Sequence, residues 1–284
     1  MQGQRSRMAA RRKLGAHLRE LRNTTRMTGT AVAREVGCAP STISKIEGAN
    51  HVPDPDLLNR LLDLYQITSE AERAGFQRLL EDASGEGWWE QYDEVLPPRF
   101  NTYIGLELDA VSVDAYETTL IHGLLETREY AHAVLHAAAF GQRPDDIDLL
   151  VDVRMKRKEL FHRDPPLRLS VVMEEAAIRR PVGGPEVMRA QLEYLLQAQE
   201  EPNINIQILP FELGAHIGLT GPFSLLEFED EPPVGHTEGT TGNIFLTKPR
   251  ETRRCRLILQ KLHEVALSPE ETSSMIRRTI EEMQ

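Results

Sequence analysis

The stretch TGTAVAREVGCAPSTISKIEGANHVPD, Thr28 to Asp54, decides how the amino-terminal part of this chain folds. Thr28 is an N-cap residue ahead of Val32, Ala33 and Val36, which recur at helical spacing, and Gly37 supplies the stop. Pro40 suits the first turn of a second helix, where its missing N–H costs nothing. Ile43 and Ile46 give that helix an inner face. At about 100° per residue, Ser41, Ser44, Lys45 and Gly48 point the other way, with Pro40 and Thr42 at the flanks. Two short helices, a small residue at their crossing (Ala33), a glycine turn and a free outer face are what a helix-turn-helix requires.

Working outward, Leu14, Leu18 and Leu21 predict a preceding helix. Asp54-Pro55 opens a fourth, carrying Leu57, Leu58, Leu61, Leu62 and Tyr65, and Ser69 with Glu72 is a capping box for a fifth. Composition then shifts. ASGEGWWEQYDEVLPPR, Ala83 to Arg99, holds two glycines, two prolines and adjacent tryptophans, and reads as a linker or docking segment. Trp88 and Trp89 are expected to pack one domain on the other, with ligand stacking as the alternative. Beyond it, helices are expected near Tyr103–Val113, Thr127–Ala139, Asp145–His162, Gly184–Gln199, Pro249–Val265 and Ser268–Met283. Strand-length segments lie at Leu167–Met173, Ile204–Leu209, Phe223–Phe228 and Asn243–Leu246. The expected fold is an all-α five-helix DNA-binding domain over residues 1–82 with a basic N-terminal arm, a linker over 83–100, and a larger α+β domain over 101–284.

Charge divides the chain the same way. Residues 1–54 hold ten of the 33 Lys and Arg and four of the 44 acids, so a basic head sits on an acidic body. That balance directs polyanions to the head alone. The arm Arg5–Lys13 would reach along a duplex or stay a solvated tail before binding. Cys38 and Cys255 suggest neither a disulfide framework nor a ligand pair, no run of 18 apolar residues exists, and MQGQRSRMAARRK lacks the apolar stretch of a secretory signal. A cytoplasmic setting follows as the expectation.

The Thr28–Asp54 stretch resembles the phage-repressor (Xre-like) type of helix-turn-helix, on Ala33, Gly37, Ile43, Ser44, Ile46, Glu47 and Pro53. The resemblance implies a sequence-specific transcriptional regulator that binds double-stranded DNA as a homodimer. It also implies a structural ion pair between Arg22 and Glu47. By alignment to the motif, Pro40, Ser41 and Lys45 are the candidate base readers, with Ser44 on the same face. Thr28, Thr30, Thr42, Asn50 and His51 suit phosphate contacts. Where the family usually has a glutamine that braces the readout, this chain has Gly29.

The body is similar to a domain of uncharacterised function that follows such heads in actinomycete regulators. The likeness runs through GLLETREYA (Gly123–Ala131), VDVRMKRKELFHRDPP (Val151–Pro166), EEAAIRRPVGGPEVMRAQLEYL (Glu174–Leu195), ILPFELGAHIGLTGPFSLLEF (Ile208–Phe228) and ALSPEE (Ala266–Glu271). His122 and Glu126 stand where that family has proline and glutamine. The resemblance implies a small partner protein encoded nearby or a small-molecule effector. It leaves open an antitoxin-like module that masks its partner, with DNA binding secondary. No catalytic, metal or cofactor site is expected. His132 and His136 read HAVLH with no third ligand, Pro181–Pro185 lacks the lysine of a phosphate loop, and the adjacent Glu174 and Glu175 diverge on a helix. The loop GAHIGLTGPF, Gly214 to Phe223, would line a pocket or a partner groove, or serve as a long hairpin connection.

Overall fold

The computed structural model describes residues 2–49, 51–84, 87–139, 143–239 and 242–283, with side chains from Ala10 onward. The chain divides into two compact units, Met1–Gln91 with Asn101–Asp109, and Tyr92–Phe100 with Ala110–Gln284. The segment read as a linker is thus shared, 83–91 going with the first unit and 92–100 with the second.

The head contains α1 (Gln2–Thr24), α2 (Gly29–Val36), α3 (Pro40–Glu47), α4 (Pro55–Leu64) and α5 (Glu70–Ala83). Its core is built from the apolar positions that periodicity singled out. Leu14 and Leu18 of α1, Val32, Ala33 and Val36 of α2, Ile43 and Ile46 of α3, four leucines and Tyr65 around α4, and Leu80 of α5 form one cluster. Local chemistry sets the ends. Asp54 accepts from the Leu57 N–H at 2.7 Å and Ser69 from that of Glu72 at 3.4 Å, each satisfying an orphan amide of a first turn. The expected arm is no separate tail, because α1 starts at Gln2 and carries the basic run within it. α6 (Phe100–Asp109) follows, and all of it beyond Asn101 is buried.

The body is a six-stranded mixed sheet with helices. Its strands are β1 (Ser112–Glu117), β2 (Arg168–Glu174), β3 (Ile204–Leu209), β4 (Phe223–Glu227), β5 (Val234–Gly239) and β6 (Gly242–Leu246), in the order β3-β2-β1-β4-β5-β6. β1, β2 and β3 run parallel; β4, β5 and β6 pair antiparallel. α7 (Arg128–Ala138) and α8 (Pro144–Arg157) connect β1 to β2, and α9 (Glu175–Arg179) and α10 (Pro185–Ala198) connect β2 to β3. Two parallel crossovers moving the same way put their helices on one face. The register gives that face Val113, Ala115, Leu169, Val171, Met173, Ile206 and Ile208. On the opposite face α11 (Pro249–Val265) packs Cys255, Leu259 and Leu262 on Tyr116, Val172, Leu209 and Leu225. α12 (Pro269–Glu282) closes the β3 edge, where Thr272 accepts the Ile208 N–H at 3.1 Å and the Leu267 N–H reaches the Ile208 carbonyl at 2.9 Å.

The fold class read from the sequence, an all-α head and a larger α+β body, is the one observed. Two strands escaped that reading. The helix expected to reach Val113 stops at Asp109, and the next residues form β1, which pairs parallel with β2 and antiparallel with β4. β5 carries Gly235 and Gly239, poor strand formers, and is held by ladders on both sides.

Candidate nucleic-acid interface

Thr28 caps α2, accepting the Ala31 N–H at 3.2 Å, and Gly37 ends it in the left-handed conformation at φ 72°. That φ favours glycine, and the Gly37 N–H returns to the Ala33 carbonyl. α3 then starts on Pro40, behind an Ala39 that offers no side-chain cap. Ile43 and Ile46 bury its inner side. Pro40, Ser41, Ser44 and Lys45 stand exposed on the outer side, as do Thr28, Thr30 and His51 nearby. Thr42 is half-buried, and Asn50 lies outside the described residues. Ser44 is less available than its position suggests: its hydroxyl donates to the Ser41 carbonyl at 2.9 Å.

Behind the interface, the Arg22 guanidinium grips Glu47 with both arms, Nε to Oε1 at 2.5 Å and Nη2 to Oε2 at 2.9 Å. Its third nitrogen donates to the Met27 carbonyl at 3.0 Å, fastening the α1–α2 turn to the end of α3. The side chains are only 16% and 12% exposed, so the pair works as a bidentate brace rather than a surface contact. Glu47 holds the Arg22 guanidinium even more firmly charged than usual, and burial pushes the nearby Tyr65 phenol up to about 12. Gly15, which the motif reading passed over, sets the spacing between α1 and α3. A Cβ there would stand 2.5 Å from the Ile46 carbonyl oxygen. A glycine inside a leucine-spaced helix was the available signal. Arg11, counted with the DNA-reaching arm, is instead committed inward, to the Ala83 carbonyl and to Glu90 at 3.0 Å each.

In the body, polar side chains tie elements together. His263 of α11 faces Asp114 Oδ1 through Nε2 at 2.9 Å and Gln207 Oε1 through Nδ1 at 2.7 Å. Ser170 approaches the same Nε2 at 3.4 Å. A nucleophilic relay needs serine and carboxylate on opposite ring nitrogens, so this is the geometry of a tie and not of a triad. Glu174, at the end of β2, accepts from the Tyr116 hydroxyl and from His216 Nε2, the latter at 2.9 Å. The loop bearing His216 is no hairpin connection. β3 and β4 are separated by β2 and β1, and the loop crosses the ends of both. Gly218 lies so close to the Tyr116 ring that a Cβ would come within 2.7 Å of it.

Comparison with known families matches residues 13–76 to a helix-turn-helix domain. Residues 100–278 match a domain of unknown function, DUF5753. The chain belongs to the DUF5753 family. No curated protein and no solved structure matched it. Helix-turn-helix domains are DNA-binding modules, and α2 and α3 are the pair that defines this one.

Within the DUF5753 domain, the two positions that depart from the expected pattern are both buried and engaged. His122 accepts the Leu124 N–H at 3.3 Å, and the Glu126 carboxylate takes the Arg154 guanidinium. Lys158 donates to the Glu126 carbonyl at 2.9 Å and sits 4.0 Å over the Tyr194 ring. His132 and His136 stack on each other, with Asp148 3.9 Å from His132; among the described residues no group of three or more metal-ligating side chains forms. Gly183 and Gly184 make the turn into α10, both at positive φ. Both cysteines are free, and no helix among the described residues is long and apolar enough to cross a membrane.

Proposed function

We propose that this protein is a sequence-specific transcriptional regulator of the phage-repressor type. It acts as a homodimer with α3 of each copy in a major groove and with the DUF5753 domain sensing a partner protein or ligand. The observation that carries the reading is the outer face of α3, where Ser41 and Lys45 stand exposed on a helix braced from behind by Arg22 and Glu47. Lys45 donates to guanine O6 and N7, Ser41 suits either partner of a base pair, and Pro40 offers apolar contact such as with a thymine methyl. Thr28, Thr30 and His51, with the uncapped start of α3, take phosphates and fix the register without specifying sequence.

The test is selection of preferred duplexes from a random pool, followed by titration at several salt concentrations. The regulator binds its selected duplex with a steep salt dependence, because neutralised phosphates release counterions. Lys45→Ala lowers that affinity by about 1–3 kcal/mol and relaxes the preference at one position per half-site. Salt-insensitive binding, or selected sites unchanged in Ser41→Ala/Lys45→Ala, refutes the assignment.

A further inference from the structure

Lys248–Lys261 is a basic island in an acidic body. It holds six of the 19 Lys and Arg between residues 110 and 284 but one of the 28 acids there. Most of it is α11, whose buried side is Thr252, Cys255, Leu259 and Leu262. At about 100° per residue, Leu257 falls at the centre of the opposite side, and it is 56% exposed. Arg253 and Arg254 lie one turn before it on the same side and Arg250 two turns before, all exposed. The other basic groups of the segment are spoken for: Arg256 by Glu227, Lys261 by Glu264 and Lys248 by Glu251. Arg250, Arg253 and Arg254 have no ion-pair partner among the described residues.

We infer that the outer face of α11 is a docking surface for an acidic, amphipathic segment of a partner protein, with Leu257 as the apolar anchor and the three arginines as the rim. An apolar centre within a polar rim is the anatomy of a protein–protein contact, in which arginine is favoured. Planar guanidinium groups match carboxylates two hydrogen bonds at a time. A nucleic-acid backbone would satisfy the arginines but would leave Leu257 facing charge, so the leucine selects protein over phosphate. The net acidity of the rest of the body disfavours an acidic partner over most of its surface. The inference deepens the partner-sensing role proposed for the body and rests on that reading.

The experiment uses the full-length protein and a short fluorescein-labelled helical peptide, with leucines along one face and glutamates elsewhere, read by anisotropy. A second peptide replaces the leucines by alanine, and a random duplex is titrated in parallel. The leucine–glutamate peptide binds. Arg250→Glu/Arg253→Glu/Arg254→Glu weakens it by roughly tenfold or more, and Leu257→Ala or the alanine peptide by roughly threefold. All four positions are on the surface, and circular dichroism verifies that the variants stay folded. Duplex binding through the head is unchanged in them. The inference is overturned if the peptide does not bind, if the triple variant binds it equally, or if Leu257→Ala is indifferent. It is overturned equally if the triple variant loses duplex rather than peptide, which would make α11 a phosphate surface. Loss of salt-sensitive duplex binding by the unaltered protein would instead defeat the regulator reading, leaving the peptide result to stand or fall separately.

Discussion

Replacing Gly15 by alanine should loosen the head by forcing α1 and α3 apart. The added Cβ would lie 2.5 Å from the Ile46 carbonyl oxygen and 3.2 Å from that of Glu47, whereas ordinary contact starts at 3.4 Å. The helices must therefore separate by close to an ångström. Both obstructing atoms are backbone, so no side-chain rotation relieves the clash. Overpacking of this kind costs about 1–3 kcal/mol, and the upper part of that range applies here. Alanine regains about 1 kcal/mol of helix propensity over glycine. The net is a destabilisation of about 1–2 kcal/mol, equivalent to lowering the melting of a domain this size by about 5–15 °C.

Gly75 in α5 is the matched control, because nothing lies within 4 Å of a Cβ built there. Gly75→Ala keeps only the propensity gain and should stabilise the head by about 0.5–1 kcal/mol. Calorimetry of the full-length variants identifies the head transition as the one that moves in opposite directions. Amide exchange at Ile46 and Glu47 should quicken in Gly15→Ala alone. Equal or greater stability of Gly15→Ala, or a parallel fall in Gly75→Ala, would refute the close-approach argument.

Two further outcomes follow from the charged groups. Arg22→Ala leaves a mostly buried Glu47 without its partner and the Met27 carbonyl without its donor, costing about 2–4 kcal/mol by denaturant unfolding. Arg22→Met/Glu47→Leu should cost clearly less, and equal losses would mean that the pair is not desolvated as its exposure indicates. Burial lowers the Lys158 ammonium to about 8 from an unfolded value near 10.5. Between about pH 8 and 10.5 the folded chain has released this proton and the unfolded chain still holds it, so unfolding takes up a proton and stability rises with pH. Stability measured in Lys158→Met should lack that rise, and identical pH profiles for the two proteins would count against it.

The head was legible because its rules are local. Thr28, Asp54 and Ser69 cap the helices they precede, and the leucine and isoleucine spacings mark the faces that pack. In the body the amphipathic helices and four of the six strands were legible, and β1 and β5 were not. β1 reads SVDAYE, in which Asp114 and Tyr116 share the α11 face although one is an acid and the other fully buried. Asp114 is there for His263, 149 residues away, and no short-range pattern announces such a partner. His216 and Gly218 were visible as members of a glycine-rich loop. That they fasten it across Glu174 and Tyr116 depends on a strand order in which β3 and β4 are not neighbours. Conversely, Arg11 shows that a basic run near a recognition helix does not by itself mark phosphate contacts.

The structure also narrows how the proposed regulator chooses a site. Ser44 spends its hydroxyl proton on the Ser41 carbonyl, so Ser41 and Lys45 are the main base-reading donors on each head. A bidentate pairing to a base edge discriminates by about 1–3 kcal/mol, and of the two donors only Lys45 can make one, so one head supplies little more than that. Specific binding typically exceeds nonspecific binding by about 4–10 kcal/mol. One head falls short of that range, and two heads on a symmetric site reach its lower part. On the proposed reading dimerisation then serves specificity as well as affinity, with sequence-dependent deformability of the central steps adding the remainder. Competition against random duplex should show a single half-site favoured far less than the full symmetric site, and changes at untouched central base pairs should matter. If an isolated half-site discriminates as well as the full one, the two donors carry more than this geometry allows, and the dimer argument is wrong.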